Sequence, residues 1–471
     1  MNQIDRFGLT EDRLRELVAE ALKSGGDWCD LYFEDTSYND LLLRDREVGA
    51  GGFHVDYGCG IRVLKGEKTG YAYSESTDWP SLLCAARAAA AIAEGPGTGT
   101  VRIPSPARIL PPGALYPMLT DWRSETASRF VPMLRRLDEQ IRRADSRVIE
   151  VIASLSWSVS EILMYNSLGE LSADTRPLGS VNVTVVFKKG DRIEKNSVSR
   201  SLRMGAEMLS DEVFDDLARR GVEGVDEMFE ASRPKGGKMS VVMAAGASGI
   251  LLHEAMGHAF EADFNRKGQS IFSDKMGRRI CREGINILDD GTLPFSRGAC
   301  NYDDEGVPGQ KTYMVRDGIL TSYLHDRISA RFYGVPPTGN GRRESFRYNP
   351  IPRMRATYME SGADGSVEDL IASVKKGVFV NNFANGQVKI GEGDFTFYVK
   401  SGRLIENGRL TKPVKDINIT GNGPQALADI VGVASDLKID EGTWTCGKEQ
   451  SVQVSCGIPT VLVKKLIVGG E

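Results

Sequence analysis

The chain has 471 residues, of which 41% are apolar and 26% charged, and its 52 glycines favour tight turns and sheets. This composition excludes a disordered or fibrous chain and suits roughly two to four globular domains. The formal net charge of −5 comes without a block of Lys and Arg that could neutralise phosphates, so no nucleic-acid partner is expected.

The first residues, Met1 to Gly8, are polar and lack the apolar core of a signal peptide. No apolar run approaches the roughly 18 residues of a membrane span. We therefore expect a soluble, unexported, cytoplasmic protein with no membrane partner. The seven cysteines are an odd number without a CxxC pair, which disfavours a disulfide framework and indicates reduced, mostly buried thiols.

The first half of the chain alternates helical and strand patterns and predicts an N-terminal α/β domain with a mixed sheet over residues 1–235. In chain order the patterns are a helix beginning near Thr10, a strand over 28–36, a hairpin turn at 65–69, an Ala-rich helix over 79–93, a Gly- and Pro-rich loop over 95–113, a helix over 119–144, two or three strands within 148–188, and a helix over 208–231.

A basic stretch with Pro and Gly at 232–238 predicts the boundary to a second domain, residues 236–471. Short strands separated by Gly, Asn and Asp turns dominate this half, which makes it sheet-rich and the whole chain α+β. It opens with a strand near 239–244 and a helix that begins at Ser248, extends to Asp263 and carries two of the four histidines.

That helix contains the residue types of a zinc peptidase. His253 and His258 offer two imidazoles, and Glu254 offers a carboxylate beside them that could act as a general base. The spacing is five, however, so a regular α-helix would point the two imidazoles roughly 140° apart. If both bind one metal, the helix must be broken or widened between them, and Gly257 is where backbone distortion costs least.

Both histidines could also have purely structural roles. His253 could be a hydrogen-bonded core residue and His258 a helix cap, although Glu261 and Asp263, about one turn further on, would suit the orientation of a metal-bound imidazole. The acidic pair at 289–290 and the acidic triplet at 303–305 lack the alternation of a calcium loop and are interpreted as solvated turns.

The motif from His253 to His258 with Glu261-Ala-Asp263 resembles the HExxxH signature of the TldD/PmbA metallopeptidases. Further blocks similar to TldD follow the same order along nearly the whole chain: Gly58-Cys-Gly-Ile-Arg-Val-Leu, Gly70-Tyr-Ala-Tyr-Ser, Gly339-Asn-Gly-Arg-Arg-Glu-Ser, Pro350-Ile-Pro-Arg-Met and Cys446-Gly-Lys. The chain continues with Glu449-Gln450 where the family block continues with Asp-Gly-Gln, so it is one residue shorter there.

The resemblance implies a third metal ligand, Cys446, with Cys456 as the competing candidate. One Zn²⁺ per chain would then polarise the scissile carbonyl, and Glu254 would take a proton from the zinc-bound water and return it to the leaving amine. For the oxyanion, His325, Tyr323 and the pair at 342–343 are candidates by residue type only.

The resemblance further implies unfolded or flexible peptide substrates, bound as extended strands in a chamber between two subunits. The partner would be a homologous metal-free subunit or, in a homodimer, a second copy, with dimer and chamber contacts from the N-terminal domain and catalysis in the C-terminal one. The alternatives are a non-catalytic peptide-binding or scaffold subunit of a TldD/PmbA-type complex and a regulator of nucleic-acid enzymes.

Overall fold

The computed structural model describes residues 3–93, 101–109 and 114–470, with the side chains of residues 384 and 385 left out. The predicted loop over 95–113 begins and ends outside these residues. The α+β class is confirmed, since long antiparallel strands and separate helices build both halves of the chain.

The first half consists of one twisted sheet and the helices that cover it. The strands are β1 Trp28–Arg44, β2 Glu47–Lys65, β3 Lys68–Ser74, β4 Ala107–Arg108, β5 Val148–Asn166, β6 Glu170–Lys189 and β7 Arg192–Leu202. The helices are α1 Gln3–Arg6, α2 Glu11–Leu22, α3 Trp79–Ala90, α4 Ala127–Ala144, α5 Asp211–Val222 and α6 Val225–Glu230. The strand order is β3-β2-β1-β5-β6-β4, with β7 also paired with β6. All of these pairs are antiparallel except β4 with β6, so the sheet is mixed as predicted.

The two larger apolar cores against this sheet lie at its opposite ends. Helix α2 begins where the Thr10 side chain caps the N–H of Arg13, and its apolar stripe packs with α3 on one end of the sheet. Helices α4 and α5 cover the other end, where Leu134 and Phe214 are buried with Trp122. The first two predicted helices and the hairpin near residue 66 are thus confirmed.

Two predicted helices are wrong in extent. The helix expected over 119–144 begins only at Ala127, because Asp121 caps a short 3₁₀ turn and Trp122 is buried against Gly179 of β6. The helix expected over 208–231 is divided into α5 and α6, because Gly224 adopts a left-handed φ of 72° between them.

The second half contains two larger sheets. Its strands are β8 Gly237–Met243, β9 Ile287–Asp290, β10 Lys311–Arg316, β11 Ile319–Leu320, β12 Gly341–Arg342, β13 Ile351–Pro352, β14 Ala356–Met359, β15 Lys376–Lys389, β16 Asp394–Glu406, β17 Arg409–Val414, β18 Ile417–Asn422, β19 Ile430–Val433, β20 Lys438–Asp440, β21 Thr445–Lys448, β22 Gln450–Gln453, β23 Ser455–Ile458 and β24 Val461–Val468. The helices are α7 Ile250–Leu252, α8 Ala262–Arg266, α9 Arg327–Tyr333, α10 Val367–Ala372 and α11 Gly423–Ala428.

One sheet has the order β11-β10-β9-β14-β23-β20. The other runs β15-β8-β24-β18-β16-β17, with β19 on β24, and the extra pairing of β15 with β16 closes it into a ring. The segment that carries the histidines lies in the core shared by these sheets, where Leu251, Met256 and Phe260 are buried. The two histidines are therefore held inside the second half of the chain rather than on an exposed loop.

The backbone at the start of the histidine segment packs directly against the backbone of a strand. A Cβ atom on Gly249 would lie 2.5 Å from the backbone nitrogen of Gly457 in β23. We expect Gly249→Ala to cost about 1–3 kcal/mol of stability, because backbone atoms cannot rotate away as a side chain can. The control is Gly51→Ala, whose added Cβ would meet its nearest neighbour at 3.6 Å. Equal melting temperatures for the two variants would contradict the close packing.

The interpretation of the two acidic stretches as solvated turns is wrong. Asp289, Asp290, Asp303, Asp304 and Glu305 are all buried. Their charges are compensated by arginines and backbone N–H groups, which is the condition for burying a carboxylate. In the triplet, for example, the carboxylate of Asp303 accepts hydrogen bonds of 2.9 Å from the N–H groups of Glu305 and Val307.

The same triplet ties the second half of the chain to the first. Arg62 of β2 lies 2.6 Å from Glu305, and both side chains are fully buried. Arg176 of β6 pairs with Asp304 at 2.6 Å. Removing one member of such a pair leaves an uncompensated buried charge, so these contacts fix how the two halves meet.

Candidate metal centre

The helical segment that carries both histidines is widened between them. It starts as a 3₁₀ turn at Ala247–Gly249, continues as α7, forms a π-helical turn over His253–Gly257 and ends in a 3₁₀ turn at His258–Phe260. The N–H of His258 donates to the carbonyl of His253, five residues back. Because a π turn closes after five residues, positions five apart share one face. The single helix predicted through residue 263 is wrong, but the widening that the spacing required is confirmed.

Cys446 reaches the same point from a hairpin near the end of the chain. Strands β21 and β22 are joined through Glu449 alone, whose φ of 58° is left-handed. The Sγ atom of Cys446 lies 3.1 Å from Nε2 of His253 and 3.2 Å from Nε2 of His258. The three donor atoms lie within 4.8 Å of one another, and all three residues are buried.

This donor set fits a zinc ion. Two imidazoles and a thiolate are common zinc ligands, and three protein ligands leave one position open. Burial alone would raise the pKa of the Cys446 thiol, but the charges and hydrogen bonds of the two imidazoles lower it to about 4, which favours the thiolate. The buried Nδ1 atom of His253 has no hydrogen-bond partner among the described residues.

Glu254 lies on the same turn, outside the donor cluster. Its side chain is half-buried, whereas both imidazoles are buried. Burial raises the pKa of its carboxyl, and the two neighbouring imidazoles only partly oppose that rise. A carboxyl with a raised pKa is closer to the value that proton transfer near pH 7 requires.

A buried carboxylate contacts the second ring nitrogen of His258. Oε2 of Glu261 lies 3.0 Å from Nδ1 of His258, and the Glu261 side chain is 0% exposed. The chain turns out of the helix at Glu261, whose backbone is extended. This contact leaves Nε2 of His258 directed at the cluster and agrees with the orienting role considered for Glu261.

Sequence reasoning missed two basic residues beside the cluster. Lys448 lies two residues after Cys446, and its Nζ atom is 3.0 Å from Glu261 and 2.8 Å from Asp263. Arg353 is fully buried and donates to the carbonyl of Cys446 at 2.7 Å. Both lie within blocks quoted above for their resemblance, and that resemblance is the signal in the sequence that could have pointed to them.

The other candidates lie outside the donor cluster. Cys456 is in β23, between β14 and β20, and burial raises the pKa of its thiol well above the ordinary value. The hydroxyl of Tyr323 donates to the carbonyl of Phe272. Arg342 donates to the carbonyls of Met354 and Gln453. These bonds are structural, and no oxyanion role follows from them.

His325 and Arg343 are likewise held in packed surroundings. Burial lowers the pKa of His325 to about 4, so the ring is neutral. Arg343 is fully buried beside Asp30 and donates to the carbonyl of Asp304. Neither contact involves the donor cluster.

A large cleft of about 1590 Å³ lies between β7 of the first half and strands β16 and β18 of the second. Its lining includes Asn196, Lys400, Asn418 and Trp444, and it includes neither the donor cluster nor Glu254. The size of a cleft alone is a weak guide to chemistry here, because the convergent donor atoms lie elsewhere.

Three family profiles match the chain in order. Residues 29–93 match the PmbA/TldA metallopeptidase domain 1, residues 121–228 the PmbA/TldA metallopeptidase central domain, and residues 236–470 the PmbA/TldA metallopeptidase C-terminal domain. The last of these contains all four candidate site residues. The profiles divide the first half into two regions, which the sequence patterns did not indicate.

Named relatives extend this similarity. The chain is 39% identical over 450 residues to the Metalloprotease TldD homolog of Haemophilus influenzae, covering 94% of this chain and 93% of that protein. It is 34% identical over 299 residues to the Zinc metalloprotease TldD homolog of Saccharolobus solfataricus, covering 62% and 65%. A solved structure, TldE from Thermococcus kodakarensis, has the same fold with a TM-score of 0.76 at 19% identity, covering 97% and 100%.

No helix in the described part of the chain has both the length and the apolar character needed to cross a bilayer. All seven cysteines are free, and six of them are buried. The expectation that most of the thiols are buried is confirmed.

Proposed function

Because this chain belongs to the PmbA/TldA metallopeptidase family, we propose that it is a zinc-dependent peptidase with one zinc ion per chain. The proposed ligands are His253, His258 and Cys446, and the proposed general base is Glu254. The observation that carries this proposal is the convergence of two Nε2 atoms and one Sγ atom within 4.8 Å in a buried position.

Each residue of the proposed site has a separate role in peptide hydrolysis. A zinc ion, when bound, supplies a Lewis acid that polarises the scissile carbonyl and lowers the pKa of water. Glu254 accepts the proton of the attacking water and delivers it to the leaving amine. His253, His258 and Cys446 leave a coordination position open to the reactants. Glu261 holds the His258 ring by its Nδ1 atom.

Unfolded or flexible peptides are the proposed substrates. The donor residues are 2 to 5% exposed, and Glu254 is only half-buried beside them. A scissile bond in a rigid folded protein could not approach such a site, whereas an extended segment can be threaded to it. Recognition through backbone hydrogen bonds would then matter more than side-chain preference.

We further propose that residues 236–471 form the catalytic domain and that residues 1–235 supply partner and chamber contacts. The partner would be a homologous metal-free subunit or a second copy of this chain. A protein named TldE shares the fold over nearly the whole chain, which suits pairing between related subunits. Seven free thiols, one of them a proposed ligand, suit the reducing cytoplasm.

The test is metal analysis combined with cleavage of an unstructured peptide. The purified chain, with a homologous subunit if one is required, should contain about one zinc ion per chain. Chelation should abolish cleavage and added zinc should restore it, while a stably folded protein should resist cleavage. Full cleavage after complete removal of metal would contradict the proposal. A metal-free chain that binds peptide without cleaving it would support the scaffold alternative.

A further inference from the structure

The hairpin that carries Cys446 is joined to the end of the histidine segment by one buried lysine. The side chain of Lys448 is 5% exposed. Its Nζ atom lies 3.0 Å from Glu261, 2.8 Å from Asp263 and 3.2 Å from the carbonyl of Pro352. An ammonium group has three hydrogens to donate, so these contacts match its full donor capacity. Nζ also lies over the ring of Phe264, 4.2 Å from its centroid.

The carboxylate at the centre of these contacts also touches a proposed ligand. Oε2 of Glu261 lies near both Nζ of Lys448 and Nδ1 of His258, each at 3.0 Å. Starting at Cys446, the path therefore runs two residues along β21, across Lys448 to Glu261, and on to the His258 ring. This path joins the thiolate and an imidazole without passing through the metal position.

Arg353 holds the same hairpin from the other side. Its guanidinium donates to the carbonyls of Cys446 at 2.7 Å, Gln450 at 2.8 Å and Lys448 at 3.3 Å, around the one-residue turn at Glu449. Nε of Arg353 lies 3.6 Å from Glu261. The Glu261 carboxylate therefore lies beside both the arginine that holds the hairpin backbone and the ring of His258.

We propose that Lys448 is a positioning residue for the metal centre, which fixes Cys446 and His258 relative to each other through Glu261. The proposal rests on the proposed function, since it concerns the same zinc ligands. Lys448 touches neither substrate nor metal in this role. It holds Glu261 where that carboxylate accepts the Nδ1 hydrogen of His258, so that the lone pair of Nε2 points toward Cys446.

Lys448 also stabilises the fold, but that role alone would not affect zinc binding by the folded protein. Burying a lysine and two carboxylates costs desolvation, and replacing a whole buried ion pair by apolar groups is often neutral, whereas removing the lysine alone leaves the Glu261 carboxylate uncompensated. An apolar residue of similar length would fill the same space but could not orient Glu261. The geometry therefore predicts that replacing Lys448 lowers the metal affinity of the folded protein in addition to its stability.

The deciding variant is Lys448→Met, which keeps the length of the side chain and removes the ammonium. We expect its zinc dissociation constant, measured by competition with a chelator, to rise about 10- to 100-fold, the usual effect of losing a residue that orients a ligand. In the cobalt-substituted protein, the thiolate-to-metal absorption band should shift or weaken. The metal-free variant should melt at a lower temperature than the wild type, because the buried Glu261 loses its nearest cation, so zinc affinity is measured on protein shown to be folded by circular dichroism.

Glu261→Gln provides a second route to the same answer, even if Lys448→Met folds poorly. It should weaken zinc binding by a similar factor, and the double variant should be no weaker than Glu261→Gln alone, because both changes break one path. Independent, multiplying losses in the double variant would overturn the proposal. The control is Lys465→Met, an exposed lysine in β24, which should leave zinc affinity and the cobalt spectrum unchanged.

The two proposals fail in different ways. If the wild-type chain, with any required partner, binds no zinc, the proposed function is wrong and the role of Lys448 falls with it. If the wild type binds zinc and cleaves peptide while Lys448→Met keeps the same zinc affinity and cobalt spectrum, only the positioning role is overturned.

Discussion

Cys446→Ala should abolish peptide cleavage and stable zinc binding, the largest effect expected for any single change in this chain. The variant removes one of three proposed ligands and leaves two imidazoles, whose Nε2 atoms both point at the missing sulfur. Losing a residue that only orients a ligand costs up to about 100-fold in metal affinity, so losing a ligand should cost more. Chelator competition and cleavage of an unstructured peptide measure the two effects.

Cys456→Ala is the matched control, because it removes a thiol of similar burial only ten residues further along the chain. Cys456 lies in an interior strand of a sheet, between β14 and β20, and burial raises the pKa of its thiol well above the ordinary value. This variant should keep its zinc and its activity and lose stability on the order of 1 kcal/mol. Loss of zinc from Cys456→Ala, with retention by Cys446→Ala, would reverse the assignment of the third ligand.

The part of the site on one helical segment could be predicted from spacing. Two histidines five residues apart cannot share a metal on an α-helix, so a joint role demanded a wider turn. The structure has a π turn over His253–Gly257. Gly257 has ordinary helical dihedrals there, with φ of −55° and ψ of −49°. A Cβ at this position would lie 2.0 Å from Sδ of Met354, so the glycine provides space rather than unusual backbone freedom.

The part of the site that depends on distant segments could not be predicted from local pattern. Nothing near Lys448 indicates that it faces Glu261, 187 positions earlier in the sequence. That contact exists only because β21 and the end of the histidine segment meet in the fold. The proposal of Cys446 came from a block resemblance for the same reason, since a single cysteine has no periodicity that reveals its partners.

Contacts between distant segments also explain where the fold predicted from the sequence was wrong. An acidic triplet is usually exposed, and the burial of residues 303–305 depends on arginines of the first half together with backbone N–H groups of the second. The stretch before α4 has a helical pattern, yet Trp122 stacks on Trp157 of β5 at 5.8 Å between ring centroids. Packing onto a sheet outweighed local helix propensity there.

Glu254→Gln should lower kcat/KM for an unstructured peptide by about 10²- to 10⁴-fold, the usual contribution of a general acid–base residue. The amide keeps the shape of the side chain but cannot accept and return a proton at this position. Zinc content should be unchanged, because Glu254 lies outside the donor cluster. Metal analysis and initial cleavage rates on the same sample measure both quantities.

The combination of retained zinc and lost cleavage separates the proposed peptidase from a scaffold, in which Glu254→Gln would change neither peptide binding nor zinc. Glu360→Gln is a suitable control, since Glu360 is also partly buried but bonds Tyr313 and Asn286 away from the cluster. It should cleave at the wild-type rate. Full activity in Glu254→Gln would remove the general-base role, and loss of zinc together with activity would show that Glu254 supports metal binding instead.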